Sequence, residues 1–314
     1  MPRRCSVSKL SVVIPFCNEY PQLMWTVQSV AQDLIGRAEF EIIAINNYCD
    51  EVKAQNREED KGGETIKVCQ RGNPWLKYLE YKDKLSHWQS KNLGVMNSTG
   101  DILWFVDAHC AISRDALFRM FHYYIDNEDK INGSLHLPLT YKILEWHRLI
   151  YKLGGEPEKG DLHYSFTGYR AADEPYEVPC MSTCGMMISR KVYDKLGGWP
   201  VELGIYGGGE NFINYTLAVL GMKKWIMTGG HTLFHHGEKR GYHWNGDDMI
   251  RNRFIANYMF GGDKWLTLMR DNRKGKKEVL QKIYEDVKAT CKGHRELIKR
   301  QQVIPIEEWL SKWQ

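Results

Sequence analysis

Three apolar segments in the first half of the chain each run directly into polar residues. They read SVVIPF, EIIAIN and ILWFV, and the segment between the first two, QLMWTVQSVAQDL, has apolar residues spaced near the 3.6-residue helical period. Strands that alternate with helices are typical of a parallel sheet covered by helices on both faces. The pattern predicts an α/β fold with a Rossmann-like, mostly parallel central sheet flanked by helices.

Further segments of the first half extend this alternation. TIKVCQ and WLKYLEYK predict two short strands after the polar residues 50–63. Residues Ser86 to Asn97 predict a helix, and residues 113–126 predict another, which Ser113 would cap with Asp115 in the first turn.

The second half of the chain is less regular. INGSLHLPLTY and YEVPCMSTCGMMISR predict strands around a loop-rich insertion at residues 151–178. RKVYDKLGG predicts a helix that ends at paired glycines. GGGEN predicts a glycine-rich turn into an amphipathic helix, KKWIMTGGHTLFHH predicts a strand, and the tail is predicted to be helical.

Composition narrows the class of protein. Hydrophobic residues make up 43% of the 314 residues, which is enough for a sizeable core. The apolar runs are far shorter than the roughly 20 residues of a membrane-spanning helix. Eight scattered cysteines without an export signal predict reduced thiols. We therefore expect a globular, cytoplasmic protein with no membrane span.

The positive charge is concentrated near the C-terminus. Residues 264–314 hold 13 Lys and Arg against 7 Asp and Glu, whereas the rest of the chain holds 30 against 32. Such a tail predicts either a solvated helical face or a surface for an anionic partner such as nucleic acid or a membrane.

The polar residues after the three apolar strands are expected to meet. The carboxyl ends of parallel strands lie at one edge of a sheet, where ligands bind. The sequence therefore predicts one cleft lined by these side chains. They are Pro15, Asn18 and Glu19, then Asn46 and Asn47, then Asp107 and His109.

Asp107 and His109 flank a single residue, so their side chains point to the same side of an extended chain. A carboxylate with an imidazole suits Mn²⁺ or another divalent ion better than Ca²⁺, which prefers oxygen ligands. The same pair also occurs in ordinary capped turns, so a third ligand is needed. His231, His235 and His236 are the candidates, and strand alternation puts the first two on one face.

Glu210 follows three glycines at the start of a predicted helix. A carboxylate held there can bind a substrate hydroxyl or take its proton, or it can simply interact with the helix dipole. The chain has no GxxxxGK[ST] motif, and GGGEN lacks the GxGxxG spacing. These absences argue against a P-loop and against a Rossmann dinucleotide site.

In their order along the chain, these motifs resemble those of GT-A glycosyltransferases of the family-2 type. The resemblance covers roughly residues 9–240, through SVVIPFCNEY, EIIAINNYCDE, SKNLG, DAHC and GGGEN. DAHC and GGGEN are similar to the Asp-x-His and Gly-Gly-Glu-Asn motifs of the polypeptide N-acetylgalactosaminyltransferases. The resemblance implies a GT-A fold and a nucleotide-sugar donor, with a UDP-sugar expected first.

The resemblance also implies roles for individual residues. Asp107, His109 and His235 would hold Mn²⁺ on the diphosphate, with His231 as the fallback. Glu210 would contact the acceptor or the sugar, and it would act as the general base if the enzyme inverts. Residues implied to lie near the donor are Pro15, Asn18, Glu19, Asn46, Asn47, Lys91, Asn92, Lys239 and Arg240.

The relatives' pattern is not matched everywhere. Many relatives carry paired aspartates after the second strand, one of which reads the uracil base, whereas this chain has Asn46 and Asn47. We expect a GT-A catalytic domain at residues 1–263, with its nucleotide-sugar half at about 1–112 and its acceptor half at about 113–263. A basic helical extension would follow at 264–314.

Two classes of function follow from these features. The first is a metal-dependent glycosyltransferase, whose acceptor is a protein, lipid or polysaccharide by default. Hydroxymethylated DNA is a further acceptor candidate, because the tail is basic and contains three tryptophans. The second class is a noncatalytic nucleotide- or nucleic-acid-binding protein on a degenerate glycosyltransferase fold.

Overall fold

The computed structural model describes residues 8–55, 59–141, 147–156, 159–205, 207–237, 242–243 and 245–313. The strands are β1 (Lys9–Phe16), β2 (Glu39–Asn46), β3 (Leu76–Glu80), β4 (Ile102–Phe105), β5 (Cys110–Ile112), β6 (Gly133–His136), β7 (Leu139–Thr140), β8 (Leu149–Glu156), β9 (Asp161–Gly168), β10 (Tyr176–Glu177), β11 (Met186–Ser189), β12 (Lys223–Ile226) and β13 (Leu233–His235). The helices are α1 (Gln22–Leu34), α2 (Asp50–Gln55), α3 (Lys61–Cys69), α4 (His87–Met96), α5 (Ala116–Asp126), α6 (Glu128–Ile131), α7 (Arg190–Leu196), α8 (Gly209–Val219), α9 (Gly246–Asn272), α10 (Lys277–Thr290), α11 (Lys292–Gln301) and α12 (Ile306–Ser311).

The larger sheet has the strand order β10-β12-β6-β11-β4-β1-β2-β3. The pairs β1–β2, β2–β3 and β1–β4 are parallel, as predicted for the first half of the chain. β11 runs antiparallel to both β4 and β6, and β10 runs antiparallel to β12. The sheet is therefore mixed. Its parallel pairs β1–β2, β2–β3 and β1–β4 come from the first half of the chain, where the alternation of strands and helices was clearest in the sequence.

Alternate residues of the central strands face two different cores. Val13 belongs to the apolar cluster that includes Trp88 of α4, whereas Val12 and Ile14 belong to the cluster that includes Val27 of α1. Because side chains alternate along a strand, an apolar strand of this kind needs a helical layer on each face. This two-faced burial is why SVVIPF is continuously apolar.

A smaller sheet, with the order β5-β13-β7-β8-β9, lies after the Asp107 turn. The predicted loop-rich insertion at 151–178 is wrong over much of its length, because β8 and β9 pair antiparallel from Leu149↔Gly168 to Glu156↔Asp161. Apolar or aromatic residues recur at every second position, as Leu149, Tyr151 and Leu153 in β8 and as Leu162, Tyr164 and Phe166 in β9, and this pattern could have signalled the hairpin. The predicted strand KKWIMTGGHTLFHH is also two strands, β12 and β13, in different sheets.

The predicted strand TIKVCQ is wrong as well, since most of it lies in α3. The Asp60 side chain accepts a hydrogen bond from the Gly63 backbone N–H and so caps this helix. Ile66 is its fully buried apolar residue. A run of β-branched residues therefore becomes helical because a cap precedes it and only one face is buried.

Ser113 does not cap α5. Its hydroxyl accepts from the Thr232 backbone N–H at 2.9 Å. The backbone N–H groups at the start of α5 instead donate to Asp33 of α1, at 2.7 Å from Asp115, 2.9 Å from Leu117 and 3.0 Å from Phe118. The cap comes from a residue distant in the sequence, which local spacing cannot identify.

Of the C-terminal helices, α9 and α12 contact α8, while α10 and α11 pack on α9. Leu280, Val287 and Trp309 belong to the same apolar cluster as Phe212 of α8. α8 is buried on almost every side rather than amphipathic as predicted, and Glu210 is the residue of this helix that keeps partial exposure. The division of the chain at residues 263 and 264 stays a prediction. Among the described residues, no helix is both long and apolar enough to cross a membrane.

Candidate active site

A cleft opens where the parallel strands end. The turns after β1, β2 and β4 line it, together with the hairpin β8–β9 and the start of α8. Of the residues predicted from the sequence, the ones that line this cleft are Pro15, Glu19, Asn47, Asp107, His109, Glu210 and His235. Asn18, at φ 54°, lies in the same turn as Glu19.

Three candidate metal ligands converge in the cleft. Ligand atoms of Asp107, His109 and His235 all lie within 4.8 Å of one another. The two Nε2 atoms of the histidines are 3.2 Å apart, and His235 Nε2 is 3.2 Å from Asp107 Oδ2. One carboxylate oxygen and two imidazole nitrogens at these distances form a donor set that fits Mn²⁺ and other first-row divalent ions.

Strand pairing selects His235 from the three candidate histidines. β13 pairs antiparallel with β5, so His235 lies opposite Cys110, next to His109. The His236 backbone N–H donates to the His109 carbonyl at 2.9 Å. His231 precedes β13, and it is not part of the convergent group.

Glu19 contacts the metal-ligand cluster directly. Its Oε1 lies 2.7 Å from His109 Nδ1, while its Oε2 accepts from the Cys17 backbone N–H at 3.2 Å. A carboxylate on the outer nitrogen of a histidine fixes the ring and leaves the other nitrogen to face an ion. The family resemblance implies that Glu19 lies near the donor, and in the structure Glu19 lines the cleft and contacts His109.

Replacing Glu19 with alanine is therefore expected to weaken Mn²⁺ affinity. Outer-shell partners of metal-binding histidines contribute roughly 10- to 100-fold in affinity, and we expect a loss in that range. Glu19→Gln should lose less, because an amide oxygen can still accept from Nδ1–H. Isothermal titration calorimetry measures the Mn²⁺ affinity of both variants. Glu39→Ala, at an exposed position, is the matched control. Wild-type affinity in Glu19→Ala would contradict this role.

Lys91 lies beneath the cleft rather than in it. Its side chain is 1% exposed, its Nζ is 3.8 Å from Asp107 Oδ1, and it donates to the Thr183 hydroxyl. Burial favours neutral Asp107, but Lys91 and a hydrogen bond with His235 outweigh this effect and hold the Asp107 pKa well below its ordinary value. Asp107 is thus kept ionised, as a metal ligand must be.

Asn92 also lies outside the cleft. Its Oδ1 accepts from the Tyr193 hydroxyl at 2.6 Å and from the Trp199 backbone N–H at 3.0 Å. Its Nδ2 donates to the Trp199 carbonyl at 2.8 Å. These bonds fasten the segment after α7 to α4.

Asn46 and Asn47 are buried and hydrogen-bonded within the protein. Asn46 Nδ2 donates to Asp60 and Tyr78, and its Oδ1 accepts from a backbone N–H. Asn47 Oδ1 accepts from the Ser86 backbone N–H at 2.7 Å, and its Nδ2 donates to two carbonyls. Asn47 lines the cleft and Asn46 lies behind it.

Glu210 lines the same cleft as the metal ligands. Gly207 and Gly208 have φ of 71° and 68°, and a Cβ on Gly209 would lie 2.4 Å from the Trp88 ring. The glycines thus provide both the turn and the close approach that place Glu210 here. Burial raises its pKa, which Lys91 and a hydrogen bond with Tyr164 oppose.

Further cleft residues come from elements that sequence analysis missed. His163, Tyr164 and Phe166 are on β9, and Arg253 is on α9. The hairpin signal of β8 and β9 would have found the first three. Lys239 and Arg240 lie outside the described residues.

Comparison with known sequences identifies similar proteins. A family model described as Glycosyl transferase family 2 matches residues 11–197. N-acetylgalactosaminyltransferase 7 of Drosophila melanogaster is 24% identical over 221 residues, or 65% of this chain and 35% of that protein. Polypeptide N-acetylgalactosaminyltransferase 10 of Homo sapiens is 23% identical over 235 residues, or 67% and 35%. The chain thus spans about a third of the length of the curated relatives it matches.

Solved structures share the fold. The crystal structure of GalNAc-T7 with UDP, GalNAc and Mn²⁺ superposes with a TM-score of 0.65 at 16% identity, covering 90% of this chain and 55% of that one. S. aureus TarS 1-349 in complex with UDP gives 0.53 at 12% identity, covering 89% and 70%. The Pyrobaculum calidifontis mannosyltransferase PcManGT with GDP-Man and Mn²⁺ gives 0.52 at 14% identity, covering 99% and 81%. The predicted GT-A fold is confirmed.

Proposed function

Because this chain belongs to glycosyl transferase family 2, we propose that it transfers a sugar from a nucleotide-sugar donor to an acceptor hydroxyl with the help of a divalent ion. The observation that carries this proposal is the convergence of Asp107, His109 and His235 at the carboxyl ends of parallel strands. Ligands of open α/β sheets bind at this edge.

The proposed ion is Mn²⁺. Asp107, His109 Nε2 and His235 Nε2 would hold it, with Glu19 fixing the ring of His109. When bound, the ion would neutralise the negative charge that develops on the leaving diphosphate. Lys91 adds a buried positive charge on the far side of Asp107. The structures of GalNAc-T7 and PcManGT, both determined with Mn²⁺, support this choice.

The proposed donor is a UDP-sugar. The GalNAc-T7 and TarS structures were determined with UDP, whereas PcManGT was determined with GDP-Man. The polar atoms of Asn46 and Asn47 already bond to the protein. We therefore propose that the base is held by the cleft wall near Pro15, and that these amides shape the wall without reading the base edge.

Glu210 is proposed to contact the acceptor hydroxyl. Its pKa is raised while that of Asp107 is lowered, so one carboxyl can accept a proton where the other stays ionised. In an inverting reaction Glu210 would take the hydroxyl proton as the sugar bond forms. NMR assignment of the product anomer tests this step, because an α-product from an α-linked donor excludes Glu210 as a single-displacement base.

A protein or glycan hydroxyl is the acceptor that we propose first. Support comes from the polypeptide N-acetylgalactosaminyltransferases among the relatives. Hydroxymethylated DNA stays a second prediction, which rests on the charge of the tail and which no relative named above supports. DNA binding that weakens steeply with salt would favour it. The predicted cytoplasmic location also stays a prediction.

A nucleotide screen tests the proposed function. Thermal stability is measured with UDP, GDP, CDP and ADP, each with and without Mn²⁺, and donor cleavage is followed by chromatography of the released nucleotide. We expect stabilisation by UDP that requires Mn²⁺, together with release of UDP from a UDP-sugar. Nucleotide binding that is independent of metal, with no release from any donor, would instead indicate the noncatalytic binding protein.

A further inference from the structure

Two buried cysteines lie behind the candidate metal ligands. Cys110 is the first residue of β5, Cys184 lies just before β11, and their Sγ atoms are 3.5 Å apart. Ligand atoms of Cys110, Cys184 and His235 all lie within 4.8 Å of one another. This cluster shares His235 with the Asp107 group, but it offers two sulfurs in place of an oxygen and a nitrogen.

The distance between the two sulfur atoms suits a tetrahedrally coordinated metal ion. Two thiolates about 2.3 Å from a zinc ion lie roughly 3.8 Å apart in a tetrahedral site. The observed 3.5 Å needs only a small outward movement of the sulfurs. Thiolates select Zn²⁺ rather than Mn²⁺, which prefers oxygen-rich ligand sets. Asp107 Oδ2, which is 3.2 Å from His235 Nε2, is a candidate for a fourth ligand.

Charge balance also favours a zinc ion beside these two buried cysteines. Cys110 and Cys184 are 2% and 3% exposed, so an isolated thiolate there would be strongly disfavoured. Two thiolates and one Zn²⁺ together carry no net charge. Binding would release both thiol protons to solvent as the two Zn–S bonds form.

We propose that Cys110, Cys184 and His235 form a second metal site that binds Zn²⁺ and thereby removes a ligand from the Mn²⁺ site. Both groups use His235, and two divalent ions held on a shared imidazole repel each other, so occupation of one site opposes occupation of the other. Zn²⁺ is then an inhibitor of Mn²⁺-dependent transfer. The inhibition rests on the proposed function, whereas the binding of zinc does not.

Cobalt spectroscopy tests the site without any sugar transfer. The full chain, kept reduced by a non-thiol reductant, is titrated with Co²⁺, and the thiolate-to-cobalt charge-transfer band is recorded before and after addition of Zn²⁺. We expect the band to appear, to be removed by Zn²⁺, and to be lost in Cys184→Ala. The matched control is Cys180→Ala, which removes a buried cysteine from the same segment and should keep the band.

Several outcomes would overturn the site. They are no band in the wild type, an equal band in Cys184→Ala, or loss of two titratable thiols to a disulfide without bound metal. Cys110→Ala repeats the test if Cys184→Ala fails to fold, as judged by circular dichroism.

An activity measurement separates the two proposals. Cys184→Ala should need at least about tenfold more Zn²⁺ for half-inhibition, since a direct ligand should contribute no less than the 10- to 100-fold of outer-shell partners. Equal inhibition of both proteins, without the cobalt band, would overturn the zinc site and leave the transferase proposal intact. A cobalt band in a chain that cleaves no donor would support the zinc site and overturn the transferase proposal.

Discussion

Asp107→Asn is expected to abolish Mn²⁺-dependent sugar transfer. The amide keeps the size of the side chain but removes the charge that binds the ion, and the two histidines alone bind Mn²⁺ poorly. An ion that stabilises the leaving diphosphate contributes several kcal/mol, and each 1.36 kcal/mol is tenfold in rate, so we expect kcat to fall at least about 10³-fold. Steady-state rates and Mn²⁺ titration measure the two effects.

The same substitution removes the carboxylate that lies 3.8 Å from the buried Lys91 ammonium. Loss of one partner of a buried pair costs about 3–5 kcal/mol, so the unfolding free energy must be measured beside the activity. Lys91→Met in the Asp107→Asn background should recover stability without recovering transfer. The exposed Asp194→Asn is the control and should change neither. Transfer at the wild-type rate by folded Asp107→Asn would contradict the metal-centred proposal.

Local sequence patterns were sufficient to identify the part of this site that comes from the first half of the chain. Asp107 and His109 could be paired because they follow one buried strand with a single residue between them. Pro15, Glu19 and Asn47 could be placed in the same cleft because parallel strands end at a common edge. Each of these inferences needs only the direction of a strand and the alternation of its side chains.

The positions of the other residues around the site depend on contacts between segments that are distant in the sequence. His235 could be chosen over His231 only by analogy, because the register of β13 against β5 joins residues more than a hundred positions apart. Cys184 lies against Cys110, which is 74 positions away in the sequence. The burial of Lys91 depends on two tryptophans from different segments. No local pattern carries such information.

Lys224 is a second buried lysine, and its environment makes stability depend on pH. Its side chain lies in β12, with Nζ donating to the Asn214 carbonyl at 3.1 Å and lying 4.8 Å from the centre of the Trp309 ring. Burial lowers its pKa from 10.5 to about 7, a shift that Cys180 and Glu177 oppose and Lys312 assists. The amine therefore lies between the sheet and the C-terminal helix α12.

Lys224→Met is expected to be more stable than the wild type below neutral pH and to lose that advantage as pH rises. Below about pH 7 the lysine is charged in both states, and the folded protein bears the full cost of burying the charge. Between about pH 7 and 10.5 the folded amine is neutral while the unfolded one is still protonated, so the wild type gains stability. A pKa lowered by this amount corresponds to about 5 kcal/mol in total.

Denaturant unfolding at a series of pH values measures this effect as the difference between wild type and variant. Above pH 7 the unfolding free energy of the wild type should rise, relative to that of the variant, by roughly 1.4 kcal/mol per pH unit. Lys223→Met, on the exposed neighbour in β12, should show no such trend. Loss of the Asn214 hydrogen bond and of packing on Trp309 would shift Lys224→Met equally at every pH. A constant difference across the series would therefore show that the amine is charged in the folded protein throughout.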